Sequence, residues 1–359
     1  MSTLLIMAGG TGGHVFPALA VAHYLRAHGV TVVWLGTRKG LEARVVPAAG
    51  FNVEWITIRG LRRQRLWDWL LLPFRVLLAT WQALRIIQRW RPAAVLAMGG
   101  FVAGPGGLMA WLLRKPLLVH EQNAVAGFTN RWLALAAHKV MCGFPNAFGA
   151  LPGAHHVGNP VRAEILALPV PEARSAAHSP SRCRLLVIGG SQGAEIFNHV
   201  IPEAVKLLPP ELRLEIWHQA GRRQREQTER AYEPMPLSVK VTAFIDDMAQ
   251  AYSWADLVVC RAGAMTIAEL CAVGIASILV PFPYATDDHQ TANARFLAER
   301  DAAILVPEAE FNPARLAELL RGFASARELL LKMAMNARAC AMPDATEMVA
   351  RLCSEAMHA

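Results

Sequence analysis

Two stretches of this chain follow one plan. Residues 4–25 read LLIMAGGTGGHVFPALAVAHYL, and residues 185–205 read LLVIGGSQGAEIFNHVIPEAV. Each passes from an apolar strand through a glycine turn into a helical pattern. The first N–H groups of a helix lack intrahelical partners, so such a turn is a ready anion-binding end. Further apolar runs without polar alternation recur at Thr31–Leu35, Ala94–Met98, Leu117–Val119 and Lys139–Cys142. They resume at Arg213–Trp217, Ser238–Thr242, Leu257–Cys260, Ser277–Pro281 and Ala303–Val306. Strands of that kind, each followed by a helix-length segment, belong in parallel sheets covered on both faces. The expected fold class is α/β, with two Rossmann-like domains whose parallel sheets face across a cleft. Ligands in such folds sit beyond the carboxyl ends of the strands.

At 359 residues the chain can fill two cores. The expected division is an N-terminal domain over 1–165, a linker over 166–182 and a C-terminal domain over 183–342. A terminal helix over 343–359 is expected to pack back on the first domain. The linker assignment rests on composition, LALPVPEARSAAHSPSR being rich in Pro, Ala and Ser. Six cysteines without a C-x-x-C pair read as thiols in a reducing compartment. Residues 3–8 lead directly into the glycine loop with no basic n-region, so no signal peptide is expected. Charge divides unevenly. Residues 1–165 hold 17 Lys/Arg against 5 Asp/Glu, a balance of +12, and the remainder carries −4. The first half is expected to face something anionic. No nucleic-acid motif accompanies the basic residues, and aromatics are not interleaved with them, which favours a membrane surface over nucleic acid.

A nicotinamide or flavin dinucleotide does not fit the loops. In G-x-G-x-x-G the third glycine allows the helix to pack closely on the strand. Here Gly10-x-Gly12 puts Val15 at that position, and Gly189-Gly190-Ser191-Gln192-Gly193 contains no G-x-G. The acid expected at the end of the second strand is also missing, since VVWLGTRKG offers Gly36 and Thr37. The loops remain able to cradle a phosphate; one such loop alone would be explained as a tight turn, two matched loops less readily.

Three more stretches combine glycine with polar residues at strand ends: MGGFVAGPGG (98–107), HEQNAVAG (120–127) and CRAGAMTIAEL (260–270). His120, Glu121, Gln122 and Asn123 form a polar run directly after a strand; a turn with ordinary caps would account for any one of them. Glu269 falls on a helix where it could accept from a diol, or simply face solvent. His289 and Gln290, after another strand, suit a polar ligand such as a sugar. The pairs Asp246-Asp247 and Asp287-Asp288 lack the D-x-D spacing of a metal-diphosphate site and suit N-caps. No Cys/His cluster has zinc spacing. No metal site and no cofactor are expected.

Together these motifs resemble the MurG family of bacterial glycosyltransferases, of the GT-B fold. The resemblance runs through GGTGGHVFPALAVA, GGFVAGPGG, HEQNAVAG, GNPVR (158–162), GGSQGA, FIDDM (244–248), CRAGAMTIAE and HQTANA, and so covers nearly the whole chain in order. Ala103 and Ala262 stand where the family usually has serine, which removes a hydroxyl at each position. The resemblance implies an inverting transferase that moves N-acetylglucosamine from UDP-GlcNAc to the 4-hydroxyl of MurNAc in undecaprenyl-pyrophosphoryl-MurNAc-pentapeptide, converting lipid I to lipid II in peptidoglycan synthesis. It further implies that Ile245 holds uracil through its backbone, Ser191 meets the diphosphate and Glu269 takes the ribose hydroxyls. Ala264, Met265, Thr266, Ile267 and Ala268 would offer helix N-terminal amides to phosphate, while Gln290 and His289 read the sugar. Thr11, Gly12, Gly13, Asn123 and Arg162 would complete the donor contacts. Gly9, Gly10, Gly99, Gly100, Gly104 and His120 would serve the acceptor. The candidate base is His14, because a helix N-terminus favours a neutral imidazole, with capping as its alternative role and Glu121 as the second candidate. Rival readings are another GT-B lipid glycosyltransferase, a UDP-GlcNAc 2-epimerase, or a non-catalytic nucleotide-sugar binding protein.

Residues 59–91, RGLRRQRLWDWLLLPFRVLLATWQALRIIQRWR, are apolar but interrupted by Pro73 and Arg75. No charge-free run reaches the roughly 18 residues needed to span a bilayer. From residue 75 the pattern is an amphipathic helix, with Val76, Thr80, Leu84 and Ile87 on the face opposite Arg75, Gln82, Arg85 and Arg89. Before it, Trp67, Trp69, Leu70, Leu71 and Phe74 beside Arg62 and Arg63 suit insertion at an anionic interface; a core or dimer contact is the alternative. The expected location is peripheral, on the cytoplasmic face of the cell membrane. Other cell-wall synthesis proteins are possible partners.

Overall fold

Parallel strands buried on both faces need apolar side chains at every position, and that is how the first strands of each half are built. The structure is a computed structural model and describes residues 2–58, 72–149, 151–178, 182–190, 193–209, 211–212 and 214–358. It contains two parallel sheets. The first comprises β1 (Thr3–Ala8), β2 (Thr31–Gly36), β3 (Asn52–Trp55), β4 (Ala94–Gly99), β5 (Leu117–Glu121), β6 (Lys139–Cys142) and β7 (Ala154–His156), in the order β3-β2-β1-β4-β5-β6-β7. The second comprises β8 (Cys183–Ile188), β9 (Leu214–Gln219), β10 (Ser238–Thr242), β11 (Leu257–Cys260), β12 (Ala276–Leu279) and β13 (Ile304–Leu305), in the order β10-β9-β8-β11-β12-β13. The strand order reverses between β1 and β4 and between β8 and β11. Those are the topological switch points at which ligands of doubly wound folds bind. Each glycine loop follows the first strand of its switch point.

The helices of the first sheet are α1 (Gly12–Ala27), α2 (Glu42–Ala48), α3 (Leu72–Trp90), α4 (Ala103–Leu112) and α5 (Phe128–Ala134). Those of the second are α6 (Ala163–Leu166), α7 (Pro171–Ala177), α8 (Glu195–Lys206), α9 (Arg225–Tyr232), α10 (Met248–Trp254), α11 (Ala264–Val273), α12 (His289–Ala298), α13 (Pro313–Ser325) and α14 (Arg327–Ala339). The final helix, α15 (Ala345–His358), packs against α1 and adds Val349, Ala350 and Cys353 to the core around Leu4, Ile6 and Val21. Burial of a Val, Leu or Ile side chain stabilises by about 2 kcal/mol.

The chain divides into two compact units, Met1–Arg162 with Met342–Ala359, and Ala163–Ala341. The expected linker thus falls within the second unit, where residues 171–177 form α7, and α6, expected almost wholly in the first domain, falls there with it. Arg174, 7% exposed, donates to the carbonyls of Pro169, Val273 and Gly274, supplying donors to the carbonyls at the end of α11 that a Pro/Ala/Ser composition does not reveal. On α3 the buried stripe is Ala79, Ala83, Ile86 and Ile87, while Val76 is exposed. Small alanines at i and i+4 let α3 pack closely beside α4, so side-chain size misleads about which face is covered. Burial pushes the thiols of Cys142 to about 11 and Cys353 to about 12, which leaves them protonated and inert.

Candidate active site

Helix α1 begins at Gly12 without a side-chain cap and with no acid in its first turn. Its N-terminal amides and dipole therefore favour an anion by about 0.3–1 kcal/mol. The loop before it is fastened from behind. Gly10, at φ +92°, donates its N–H to Glu42 Oε2 at 2.9 Å. Glu42 is fully buried, and its other oxygen accepts from Thr37 N at 2.9 Å and Thr37 Oγ1 at 2.8 Å. Sequence reasoning sought an acid at the end of the second strand as a ribose ligand and passed over this one. The available signal was a lone glutamate opening the apolar helix EARVVPA.

The second element of the first site is the Gly99–Gly100 turn after β4, with φ values of +103° and +83°. A Cβ on Gly99 would lie 2.7 Å from His14 Nδ1, and one on Gly100 would lie 2.3 Å from the Gly9 carbonyl. The imidazole thus rests on bare backbone, and the two glycine turns pack directly on each other. A Cβ on Gly104 would meet Thr129 only at ordinary contact distance, 3.6 Å.

The HEQN run meets this site from beneath. His120 is fully buried at the end of β5; its Nε2 lies 2.9 Å from Gly158 O and its Nδ1 lies 3.1 Å from Gln122 Nε2. Gln122 Nε2 also donates to His120 O at 3.2 Å, and Gln122 Oε1 lies 2.8 Å from His14 Nδ1. Burial lowers the His120 pKa to about 4, so this ring is neutral at pH 7. His120 was expected among the acceptor contacts; with no exposed surface and both ring nitrogens engaged, it supports the site rather than touching a ligand. Glu121 was expected as a second candidate base. Its buried carboxylate accepts from Asn123 N, Asn123 Nδ2, Gly127 N and Asn130 Nδ2 at 2.8–3.1 Å, which commits it to holding the loop. Asn123 is half-buried and bonded to that carboxylate. Asn159 donates to Gln122 O at 2.9 Å, so GNPVR and HEQN interlock. Arg162 stacks over Phe16, 5.6 Å from the ring centroid.

In the second unit, Gly190 and Gly193 take φ values of +81° and +75°, and Gln219 Nε2 donates to Gly190 O at 2.7 Å. Ser191 lies outside the described residues, as do Arg62, Arg63, Trp67, Trp69, Leu70 and Leu71. Helix α8 carries Glu195 in its first turn, which weakens its attraction for an anion. Helix α11 has neither acid nor side-chain cap in its first turn. Of the five residues expected to offer amides there, Ile267 already donates to Gly263 O, and Ala268 lies within the regular helix. Only the first amides of a helix lack intrahelical acceptors, which leaves those of Ala264, Met265 and Thr266.

Glu269, one helical turn further on, accepts from Tyr252 Oη at 3.1 Å, which orients its carboxylate. The loop before α11 is braced by Arg261, which pairs with Glu308 at 2.5 Å and donates to the carbonyls of Val280 and Pro281. Buried Asn293 on α12 donates to Ala262 O at 3.0 Å. Tyr252, Arg261 and Asn293 were not singled out by sequence reasoning, and their types alone carry no distinguishing signal. Gln290 accepts from Phe282 N through Oε1 at 2.9 Å, with His289 beside it at the start of α12. Ile245 is buried after β10, and Asp247 caps α10 by accepting from Gln250 N. Among the described residues, no group of three His, Cys, Asp or Glu side chains is arranged to hold a metal ion.

Comparison with known proteins agrees with this architecture. The glycosyltransferase family 28 N-terminal domain matches residues 4–142, and the corresponding C-terminal domain matches residues 184–349. The UDP-N-acetylglucosamine–N-acetylmuramyl-(pentapeptide) pyrophosphoryl-undecaprenol N-acetylglucosamine transferase of Nitrosococcus oceani is 54% identical over 353 residues, 98% of each chain. The enzyme of the same name from Alkalilimnicola ehrlichii is also 54% identical, again over 98% of each chain. The crystal structure of Acinetobacter baumannii MurG superposes with a TM-score of 0.85 at 42% identity, covering 99% of this chain and 100% of that one. The two parallel sheets are those of the GT-B fold. The chain belongs to glycosyltransferase family 28, within its MurG family of N-acetylglucosaminyltransferases.

Proposed function

We propose that this chain transfers N-acetylglucosamine from UDP-GlcNAc to the muramyl 4-hydroxyl of undecaprenyl-pyrophosphoryl-MurNAc-pentapeptide, with His14 as general base. The observation that carries the residue assignment is an imidazole in the first turn of an acid-free helix whose loop is rigidly backed by Glu42. Nε2 of His14 takes the hydroxyl proton as the oxygen attacks the anomeric carbon. The bond from that carbon to the diphosphate oxygen breaks, and UDP leaves with the electron pair. A single in-line displacement inverts the anomeric centre. The first amides of α11 receive the donor diphosphate, Glu269 accepts from the ribose hydroxyls, Ile245 offers its backbone to uracil, and Gln290 with His289 reads the sugar. Gly9, Gly10 and the turn at 99–104 line the acceptor side, while Thr11, Gly12, Gly13, Asn123 and Arg162 complete the donor contacts. An assay with labelled UDP-GlcNAc tests the reading. Label is expected in the muramyl-pyrophosphoryl lipid and not in diacylglycerol; UDP-ManNAc formed without acceptor would instead make the protein an epimerase.

The lipid acceptor calls for a membrane dock, and the first unit carries a surface that suits one. Phe74, Leu77 and Trp81 on α3, Trp111 and Leu112 on α4, Phe128 and Trp132 on α5, and Leu135 just after it are all at least half exposed. The three helices pack side by side. No described helix is long and apolar enough to cross a membrane. Exposed aromatics with arginine nearby, such as Arg85 over Trp81 at 5.5 Å, suit burial at the headgroup boundary. Each basic group near an anionic surface contributes about 1 kcal/mol. Phe74→Glu/Trp132→Glu is expected to sediment with phosphatidylglycerol vesicles at least tenfold more weakly than wild type. Equal binding, or no dependence on lipid charge, would remove the peripheral docking assignment.

A further inference from the structure

We propose that Gln122 is a positioning residue that sets which nitrogen of His14 carries the proton, through an ordered chain of hydrogen bonds running from the Gly158 carbonyl. This rests on the reading of His14 as the base. The order follows from two groups that can only accept. Gly158 O lies 2.9 Å from His120 Nε2, so the proton of that neutral ring sits on Nε2 and its Nδ1 is an acceptor. His120 O lies 3.2 Å from one end of the Gln122 amide, so that end is the NH2 group. The same NH2 lies 3.1 Å from His120 Nδ1, where it donates to the lone pair that the Gly158 contact leaves bare. Both constraints turn the amide carbonyl toward His14, and Oε1 lies 2.8 Å from Nδ1. Nδ1 of His14 must therefore donate, and its neutral form keeps the lone pair on Nε2.

Reversing the chain would set two acceptors face to face at the backbone carbonyls, so the polarity is fixed by the main chain. The anchors are themselves immobile. Gly158 sits at φ +80°, where a Cβ would meet Met342 at 2.6 Å. Gln122 is 1% exposed and its own carbonyl accepts from Asn159. Burial keeps His120 neutral down to about pH 4, so the relay holds its order across the working range of an imidazole base. When Nε2 takes the acceptor proton, the imidazolium remains bonded to Oε1, and the amide dipole stabilises the charge.

The test combines nitrogen NMR on 15N-histidine protein with kinetics of Gln122→Met. In wild type, His14 is expected to show a protonated Nδ1 and a bare Nε2. In Gln122→Met the two tautomers mix, and kcat falls roughly 10- to 100-fold, a share of general-base catalysis that orientation controls. Both KM values should stay within about twofold, since the chain touches no substrate. A bare Nδ1 in the wild-type spectrum, or a variant that folds and keeps kcat within twofold, would overturn the proposal. Should Gln122→Met not fold, the wild-type spectrum decides alone. His14→Gln run in parallel separates the two readings. Activity retained there defeats the base assignment, while the His14 tautomer in wild type still reports on the relay.

Discussion

After β1 the chain turns through Gly9 and Gly10 into a helix whose first turn holds a histidine and no acid. After β8 it turns through Gly189, Gly190 and Gly193 into α8, whose first turn holds Glu195. The first loop is tied by its N–H to a buried carboxylate, the second by its carbonyl to the amide of Gln219. Two copies of one local plan thus present opposite electrostatics to a ligand. In the second sheet the acid-free helix end lies one strand over, on α11 after β11, the counterpart of α4 after β4 in strand order. A glycine turn marks where an anion could bind; the charge of the following helical turn decides whether it does.

That contrast assigns structural and chemical roles that substitution can separate. Glu121→Ala should have the largest effect, because it leaves several buried N–H groups without an acceptor. A loss of about 4 kcal/mol in urea unfolding is expected. A stable, fully folded variant with abolished turnover would instead make Glu121 the base.

Each unit also buries one neutral histidine, His120 at about 4 and His218 at about 3, both lowered by desolvation. These values lie below the unfolded value near 6.5, so the unfolded chain binds more protons in the interval between. Stability is therefore full above pH 6.5 and falls as the pH drops toward 4. The loss is about 2 kcal/mol per histidine from pH 7 to pH 5. His218→Phe should flatten the slope by the share of one site; an unchanged slope would mean that His218 is not held neutral.

Glu269→Ala is a smaller and more selective change. Removing the oriented carboxylate should raise donor KM roughly tenfold, about 1.4 kcal/mol, and leave acceptor KM unchanged. A rise confined to acceptor KM would exchange the roles given to the two units.

Much of the architecture was legible in the sequence because doubly covered parallel strands leave uninterrupted apolar runs, and the paired strand-glycine-helix units stand out against them. The linker was not. Proline and alanine in α7 look the same whether exposed or packed, and only the reach of Arg174 to the end of α11 distinguishes the cases. The polar run HEQN stood out in the sequence, but the burial of its side chains did not. A polar residue at a strand end is read as exposed, whereas β5 continues through Glu121, and His120, Glu121 and Gln122 are all buried. Glu42 went unnoticed because its partners, Gly10 and Thr37, come from separate loops that only the folded sheet brings together.

We propose that the first glycine loop carries the chemistry through His14 while the second unit holds the donor. Single-turnover rates of His14→Ala and His14→Gln at saturating UDP-GlcNAc test it most directly. General-base assistance predicts a fall of about 10²- to 10⁴-fold with donor affinity preserved. Rates within tenfold of wild type, a barrier change below about 1.4 kcal/mol, would contradict it.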